Sequence, residues 1–292
     1  MPDAYIIGLF PRSEKLISTW KAFDRGDVGE RELSNVYIEH VKNVYNLQVR
    51  QGFKYIHDPQ SNWHDLFRPF TNMAGIEAGP LKRFYENNTF FREPRVYDPK
   101  FDGNVLDGYI SRRVAPFTSI SIPGPYTFTR LSRLEAEENR VGEFISDTIK
   151  YLLKAGYSRI FLHEPELVYG EVDRDLFKEL YRLLLNYRDS IVIHLYYGDA
   201  SKVSDLIEGL GVEYTIDLAY TLLEGLKNLR SRIIGGVAGD NTLLEDPVEV
   251  VNKISSLVGE DFILVNNVDL DFLPYEYAVK KVELLGMARG VE

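Results

Sequence analysis

Eight short apolar runs recur along the chain, and each ends in polar residues that precede a helix-like stretch. Runs of this length that are rich in Ile, Val, Phe and Tyr are typical of strands buried on both faces. Strands that alternate with helices pair in parallel through right-handed crossovers, and eight such units close a (βα)8 barrel. The sequence therefore predicts an α/β, TIM-like barrel. The predicted strands are residues 4–10, 53–58, 116–123, 159–165, 190–198, 213–219, 232–239 and 261–269.

Apolar residues with helical spacing fill most of the segments between these strands. The connection from the second to the third strand has roughly 57 residues, far more than a crossover needs, which predicts a long insertion at about 60–113. We expect a single domain over residues 1–292, with Asp246 as the N-cap and Pro247 in the first turn of one helix. The predicted helices are residues 30–49, 134–155, 173–187, 200–209, 221–229, 247–258 and 274–288.

Composition narrows the range of functions. The chain has 292 residues, 45% of them hydrophobic, and a formal net charge of −10. This charge argues against nucleic-acid binding and against an anionic membrane surface, because both require basic patches. No apolar run is long enough to span a membrane, and no signal-like segment begins the chain, so we expect a cytoplasmic protein. Cysteine is absent, which excludes disulfides, thiolate catalysis and zinc sites that use cysteine.

The candidate chemistry lies where the predicted strands end, because the active site of a barrel forms at the carboxyl ends of its strands. Glu164 follows the fourth strand, either as a ligand for substrate or as a carboxylate paired with an arginine. His194, Asp217 and Asp269 end the fifth, sixth and eighth strands. One histidine and two carboxylates can hold a divalent metal, whereas a lone histidine is more often structural.

Other polar residues follow the second and seventh predicted strands. Asp58, Gln60 and Trp63 lie after the second strand, and Trp63 could stack on a flat ring or cover an apolar core. Residues 87–92 suggest a hairpin turn. The glycine-rich segment 235–239 resembles a loop that cradles phosphate, but it lacks the spacing of the known phosphate fingerprints. Close backbone packing is the favoured explanation for these glycines.

Five segments resemble motifs of the cobalamin-independent methionine synthases. Residues 82–94 (KRFYENNTFFREP) are similar to K-W-F-[DN]-T-N-Y-H-Y-x-V-P-E, and residues 163–167 (HEPEL) are similar to D-E-P-A-L. Residues 123–127, 214–218 and 236–241 resemble G-P-V-T, H-L-D-L and G-V-x-x-x-N. The resemblance covers nearly the whole chain, although each motif is degenerate. Members of this family move a methyl group from a methyl-folate to homocysteine, using two tandem (βα)8 barrels of which the C-terminal one holds zinc.

The departures from the family pattern concern its zinc site. His194 matches the zinc-binding histidine, but Tyr196 stands where the first cysteine would be, and Asp269 lies where the family has N-P-D-C. Asp217 is near the position of the glutamate ligand, and His163 replaces the aspartate before Glu-Pro. The resemblance therefore implies a barrel of the N-terminal, zinc-free type. The residues predicted to bind substrate are Arg12, Asp58, Gln60, Trp63, Asn88, His163, Tyr196, Asp240 and Asn241.

These observations lead to one main hypothesis and two alternatives. The resemblance implies a protein that supports methyl transfer from methyl-folate, or a related pterin, to homocysteine, with Glu164 and Asp217 as catalytic residues. A separately encoded barrel would supply the zinc, which we do not expect this chain to bind alone. One alternative is an independent methyltransferase with a metal at His194, Asp217 and Asp269. The other is a subunit without catalytic activity that stabilises its partner.

Overall fold

The computed structural model describes residues 2–87, 89–226 and 229–290. Most of the apolar runs become short strands whose residues are buried on both faces, as in β4, β6 and β7. The strands are β1 (Asp3–Ala4), β2 (Ile76–Arg83), β3 (Phe90–Val96), β4 (Ser119–Pro123), β5 (Arg133–Leu134), β6 (Arg159–His163), β7 (Ile191–His194), β8 (Glu213–Asp217), β9 (Ile233–Val237) and β10 (Ile263–Asn266).

Seven of these strands form one curled parallel sheet in the order β1-β10-β9-β8-β7-β6-β4. Each strand from β6 to β10 pairs with the next one along the chain. Parallel neighbours that follow one another in this way carry their helices on the outside and place all carboxyl ends at one edge. The α/β class and the parallel arrangement predicted from the sequence are confirmed.

The first two predicted strands are shorter than expected. Of residues 4–10 only Ala4 is assigned to a strand, although the rest of this run is buried. Residues 53–58 contribute one isolated parallel bridge, between His57 and Ser119. The backbone N–H of Phe10 donates to the carbonyl of Pro59 at 3.1 Å, so the two segments meet beside β4. Complete closure into an eight-stranded barrel remains a prediction, as does the single domain.

The helices follow the predicted pattern closely. The helix at Pro247–Val258 has its predicted bounds, and Asp246 caps it by accepting from the N–H groups of Val248 and Glu249. Glu14–Asp24 forms a helix that the sequence analysis missed. The helices are α1 (Glu14–Asp24), α2 (Glu30–Arg50), α3 (Gly103–Asp107), α4 (Pro125–Arg130), α5 (Glu138–Lys154), α6 (Glu166–Tyr169), α7 (Arg174–Arg182), α8 (Ser204–Glu208), α9 (Leu223–Leu226), α10 (Pro247–Val258) and α11 (Tyr275–Ala288).

Residues 60–113 contain an antiparallel hairpin, β2–β3, which pairs with the short β5 in a separate three-stranded sheet. The residues at its tip reach the loops that follow β6 and β7. Tyr85 donates to Glu166 at 2.9 Å, and the side-chain amide of Asn87 donates to the hydroxyl of Tyr197 at 3.1 Å. The hairpin therefore lies over the edge where the strands of the parallel sheet end. That this region is an insertion into the barrel remains a prediction.

Candidate functional site

Three fully buried histidines lie near one another: His163 and His194, which end β6 and β7, and His57, which forms an isolated bridge with β4. His57 is held on both ring nitrogens, with Nδ1 3.0 Å from the hydroxyl of Ser119 and Nε2 accepting from the N–H of Gly8 at 3.1 Å. Burial lowers its pKa to about 3, and the nearby His163 adds to the effect. His57 is therefore a neutral structural histidine that joins the first three strand segments.

The other two histidines pack together with Tyr196. The ring centroids of His163 and His194 are 4.8 Å apart, and Nδ1 of His163 lies 3.3 Å from the Tyr196 hydroxyl. Burial lowers the pKa of His163 to about 3 and that of His194 well below its usual value, so both rings are neutral. Each Nε2 atom is buried without a hydrogen-bond partner. Such atoms are rare in folded proteins, and they mark this position as a candidate site.

Asp269 lies next to this pair. Its Oδ1 atom accepts from the N–H of Leu9 at 3.2 Å and is 3.7 Å from Nε2 of His163. Gly8 has a φ of +86°, and a Cβ at this position would lie only 1.7 Å from the same oxygen. Burial raises the pKa of Asp269 well above its usual value, and the neighbouring Asp271 raises it further. The first, fourth and eighth predicted strands therefore meet at this carboxyl group.

Two adjoining cavities open at this edge. The larger has a volume of about 620 Å³ and is lined by Arg12, Gln60 and Trp63, among others. The smaller, of about 250 Å³, has Asp269 in its wall and the β2–β3 hairpin over it. Leu9, His64 and Asp271 line both cavities, so the two form a continuous cleft. The larger volume is within the usual range for a small-molecule site.

Opposite charges face each other in the larger cavity. Arg12 lies over the ring of Trp20, at 5.8 Å from its centroid, and its Nη1 is 3.3 Å from Nδ1 of His64. Burial lowers the pKa of Arg12, whereas Asp271 counteracts that shift. Asp271 opens to the cavity yet is closely surrounded by protein, which raises its pKa, with Arg12 opposing the shift. An arginine and a carboxylate in one cleft suit a zwitterionic ligand.

Glu164 is completely buried and fully engaged. Its carboxylate accepts from the N–H groups of Tyr126 and Thr127, at 2.9 and 2.6 Å, and from the hydroxyl of Tyr181 at 2.9 Å. Burial raises its pKa to about 7. Gly124 leaves space for it, because a Cβ there would lie 2.2 Å from the carboxylate. The structure thus places Glu164 at the N-terminus of α4 and outside the two cavities.

Asp217 also has a full set of partners. It accepts from the N–H groups of Tyr197 and Ala219, at 3.2 and 3.0 Å, and from the side chain of Asn267 at 3.2 Å. Burial raises its pKa to about 6. These contacts join the loops that follow β7, β8 and β10.

The available donors do not fit a zinc ion. Within the described part of the chain, no three His, Asp or Glu side chains are gathered as metal ligands, and the sequence has no thiolate to offer. His194 has a free Nε2, but the oxygens of Asp217 are committed to protein donors. The metal predicted at His194, Asp217 and Asp269 stays a prediction, and the geometry gives these residues separate partners.

The residues after the second predicted strand hold the loop together. Asp58 is buried and accepts from the N–H of Ser111 at 2.7 Å and from the hydroxyl of Tyr157. The Gln60 side chain donates to the carbonyl of Ser121 at 2.8 Å and accepts from its N–H at 3.1 Å. Trp63 is buried and donates to the carbonyl of Tyr109, while also lining the larger cavity. The position of Trp63 is therefore compatible with both interpretations, covering the apolar core and stacking on a flat ring in the cavity.

Two further predicted residues, Asp240 and Asn241, lie apart from the cleft. Asp240 and Asn241 are exposed on the loop after β9, where the Asn241 amide donates to Asp240 at 3.2 Å. Asn88 lies outside the described residues. Close packing explains the glycine-rich segment, since a Cβ at Gly235 would lie 2.8 Å from Cα of Asn267, and one at Gly239 2.3 Å from the carbonyl of Val268.

Comparison with known proteins connects this geometry to a family. No family model matches the chain. It is 28% identical over 250 residues to a 5-methyltetrahydropteroyltriglutamate–homocysteine methyltransferase of Bifidobacterium animalis subsp. lactis (strain AD011), covering 76% of the chain and 31% of that protein. It is 27% identical over 243 residues to the protein of the same name from Trichodesmium erythraeum (strain IMS101), covering 74% and 32%. The chain is thus similar in sequence to two homocysteine methyltransferases over about three quarters of its length.

The resemblance inferred from the sequence motifs is thus confirmed for the family. The chain spans about a third of the length of the curated relatives that it matches. A solved B12-independent methionine synthase from Shewanella sp. W3-18-1, in complex with selenomethionine, has a TM-score of 0.77 and 16% sequence identity. The match covers 99% of this chain and 96% of the Shewanella chain. At this identity the likeness supports the fold alone.

Sequence reasoning missed two residues of the cleft, His64 and Asp271, and also Trp20, whose ring lies against the Arg12 guanidinium. The pair Asp269 and Asp271 carried a usable signal, because two carboxylates separated by one residue follow the last strand. His64 lies in a loop without regular structure, and nothing in the pattern marks it as a neighbour of Arg12. Within the described residues, no helix has the length and hydrophobicity that crossing a membrane requires.

Proposed function

We propose that this chain supports methyl transfer from a methyl-folate, or a related pterin, to homocysteine, as the zinc-free barrel of a two-chain methionine synthase. A separately encoded barrel would supply the zinc. The observation that carries the proposal is a match to about a third of two named homocysteine methyltransferases, in a chain without thiol donors. No step of the proposal runs through a metal bound by this chain. The cytoplasmic location remains part of the proposal.

The cleft would bind an amino-acid ligand through its two charges. Arg12 would pair with the carboxylate of homocysteine, and Asp271 with its ammonium group, because both side chains line the larger cavity. Charge-assisted hydrogen bonds of this type are shorter and stronger than neutral ones. Trp63 and Tyr275 would cover the apolar part of the ligand and exclude water.

Glu164 and Asp217 would act as positioning residues. Glu164 fixes the start of α4 through two backbone N–H groups, and Asp217 fixes the backbone of Tyr197 and Ala219. Both sets of contacts shape the loops around the cleft. A role in direct contact with substrate would require these hydrogen bonds to break, which is costly for a buried carboxylate.

Exposed apolar side chains on the loops after β6, β8 and β9 offer a surface for the second barrel. Leu222 is 71% exposed and Leu243 is 75% exposed. Large apolar groups at the open end of a barrel are typical of a surface that another protein covers. The members of this surface are Tyr169, Tyr220, Leu222, Leu243 and Leu244.

The decisive experiment measures methyl transfer and bound zinc for the chain alone and for its mixture with a zinc-bearing barrel from the same genome. We expect activity only in the mixture. Arg12→Gln and Asp271→Asn should each raise the KM for homocysteine about tenfold, from the loss of a charge-assisted hydrogen bond worth roughly 1.5–3 kcal/mol. Asp147→Asn, on the exposed face of α5, removes one charge outside the described cavities and should change nothing.

A stand-alone methyltransferase is the second candidate, and one observation favours it. The Shewanella protein has nearly the same length as this chain, and it is described as a methionine synthase in complex with selenomethionine. Methyl transfer and stoichiometric metal in the purified chain would replace the two-chain proposal with this one. If mixing raises activity but the Arg12 and Asp271 variants behave as wild type, a purely stabilising subunit is the right description.

A further inference from the structure

The smaller cavity combines an acidic floor with aromatic walls. Asp269 and Asp271 lie at the ends of the parallel strands, and the hairpin covers them from the other side. Three of the wall residues, Phe84, Phe90 and Phe91, come from the hairpin or its tip, and Phe272 follows the second aspartate. The faces of such rings attract cations through their quadrupole.

The charge in this cavity has no cationic partner in its walls. Asp65 is a third aspartate in the lining of this cavity. Among the described residues that line the cavity there is no lysine or arginine. His64 is the one basic side chain there, and burial and two nearby arginines lower its pKa. Burial raises the pKa of both floor carboxyls, and repulsion by Asp271 raises that of Asp269 further, whereas Arg12 opposes the shift at Asp271. A positive ligand would relieve this repulsion in a low-dielectric space.

An unsatisfied polar atom also points at the floor. His163 is fully buried, and its Nε2 has no hydrogen-bond partner, yet it lies 3.7 Å from Oδ1 of Asp269. The Leu9 N–H holds the same oxygen at 3.2 Å. The carboxyl group is thus fixed in place from the protein side. Buried polar atoms that lack partners in this way call for a ligand or an ordered water.

We propose that this cavity binds the positive end of a zwitterion whose ammonium or sulfonium centre carries methyl groups. A primary ammonium needs three acceptors, and a metal ion needs several oxygen ligands. The floor carboxylates can balance a positive charge, but the four phenylalanine rings of the walls offer no acceptor and instead favour a cation that presents methyl groups to their faces. The carboxylate of the ligand lies toward Arg12, across the boundary between the two cavities that Leu9, His64 and Asp271 line.

This binding site shares Arg12 and Asp271 with the proposed homocysteine site, but its test is independent of methyl transfer, because it needs no second barrel and is measured on the chain alone. Glycine betaine is the probe, with two matched ligands as controls. 3,3-Dimethylbutanoate has the same shape without the positive charge, and glycine has the charges without the methyl groups. Titration calorimetry should show glycine betaine binding about tenfold or more tightly than either control, in line with a desolvated cation–aromatic contact.

Two variants locate the site. Asp269→Asn keeps an oxygen for the Leu9 N–H and should reduce betaine affinity about tenfold, to that of 3,3-dimethylbutanoate. Phe91→Leu should weaken betaine but not glycine, whereas Asp147→Asn should leave all three affinities unchanged. Equal affinity for betaine and its uncharged analogue would overturn the proposal, and so would equal affinity for betaine and glycine. Displacement of betaine by Mg²⁺ or Zn²⁺ would instead assign the floor to a metal ion.

Discussion

At the scale of single residues, two glycines make room for the carboxylates at the strand ends. Gly8 lies against Asp269, and Gly124 lies against Glu164. In each case the missing side chain is what lets a buried carboxylate approach the backbone of another strand. Only glycine tolerates the positive φ of residue 8 at low cost. These contacts explain why the carboxyl groups have defined positions in the site.

Gly8→Ala tests this arrangement, with Gly26→Ala as its control. Both glycines have positive φ values, +86° and +78°, but a Cβ at Gly26 meets nothing within 4 Å. We expect Gly26→Ala to lower the free energy of unfolding by about 1–2 kcal/mol from backbone strain alone. Gly8→Ala should cost a further 1–3 kcal/mol, roughly, from overpacking against Asp269. Equal losses in chemical denaturation would show that the contact with Asp269 is unimportant.

At the scale of elements, a buried lysine ties the last helix to the loop after β9. Lys281 of α11 is fully buried and donates to Glu245 at 2.7 Å and to the carbonyl of Leu243. Glu245 in turn accepts from the N–H of Ala238 at 2.9 Å. The ion pair therefore fixes the loop after β9, on which Leu243 and Leu244 are exposed.

Lys281→Ala should be strongly destabilising, because it leaves Glu245 without its partner. Glu245 is partly exposed, so we expect the loss of this charged hydrogen bond to cost about 1.5–3 kcal/mol, with the lost packing of the buried lysine stem added to it. Lys280→Ala is the matched control, since this neighbour is exposed and its ammonium lies over the Tyr277 ring, at 5.1 Å, a contact worth about 0.5–1 kcal/mol. Thermal unfolding of the two variants provides the measurement. Similar shifts in Tm would mean that the buried pair contributes nothing beyond packing.

At the scale of the whole molecule, buried groups of two kinds oppose each other in their response to pH. Burial depresses the pKa of His57 and His163 to about 3, whereas it raises that of Glu164 to about 7 and that of Asp217 to about 6. The stability that the neutral histidines contribute to the fold is lost as the pH falls below about 6.5, the pKa of histidine in the unfolded chain. The stability that the protonated carboxyl groups contribute is lost as the pH rises through the pKa values that these groups have in the folded protein. We therefore expect a nearly flat stability profile between about pH 5 and 6.5.

His57→Gln separates the two effects. The wild type loses the contribution of neutral His57 as the pH falls from about 6.5 toward 3, and the variant has no such loss. The stability gap between the two proteins should then narrow on acidification, by about 1.4 kcal/mol per pH unit well below pH 6. Denaturation at several pH values between 7.5 and 5 measures the gap. A gap independent of pH would show that His57 is not held neutral by burial.

The pattern of apolar residues along the chain was sufficient to predict the parallel α/β arrangement and most of the helices. Strands covered on both faces must be apolar throughout, so the pattern marks them without reference to their neighbours. The same holds for α10, whose cap and first-turn proline are local signals. The pattern was a poorer guide at residues 4–10 and 53–58. These two segments are buried, but they form few of the backbone hydrogen bonds that pair neighbouring strands.

Which polar residues share a site became clear from the folded structure alone. Glu164, Asp217 and Asp269 all end predicted strands, yet the first two are saturated by protein donors, and only Asp269 faces a cavity. The cleft instead joins Arg12, His64 and Asp271, which lie far apart in the chain. Residue spacing records neither which donors surround a carboxylate nor which loops meet above it, because both depend on contacts between distant segments.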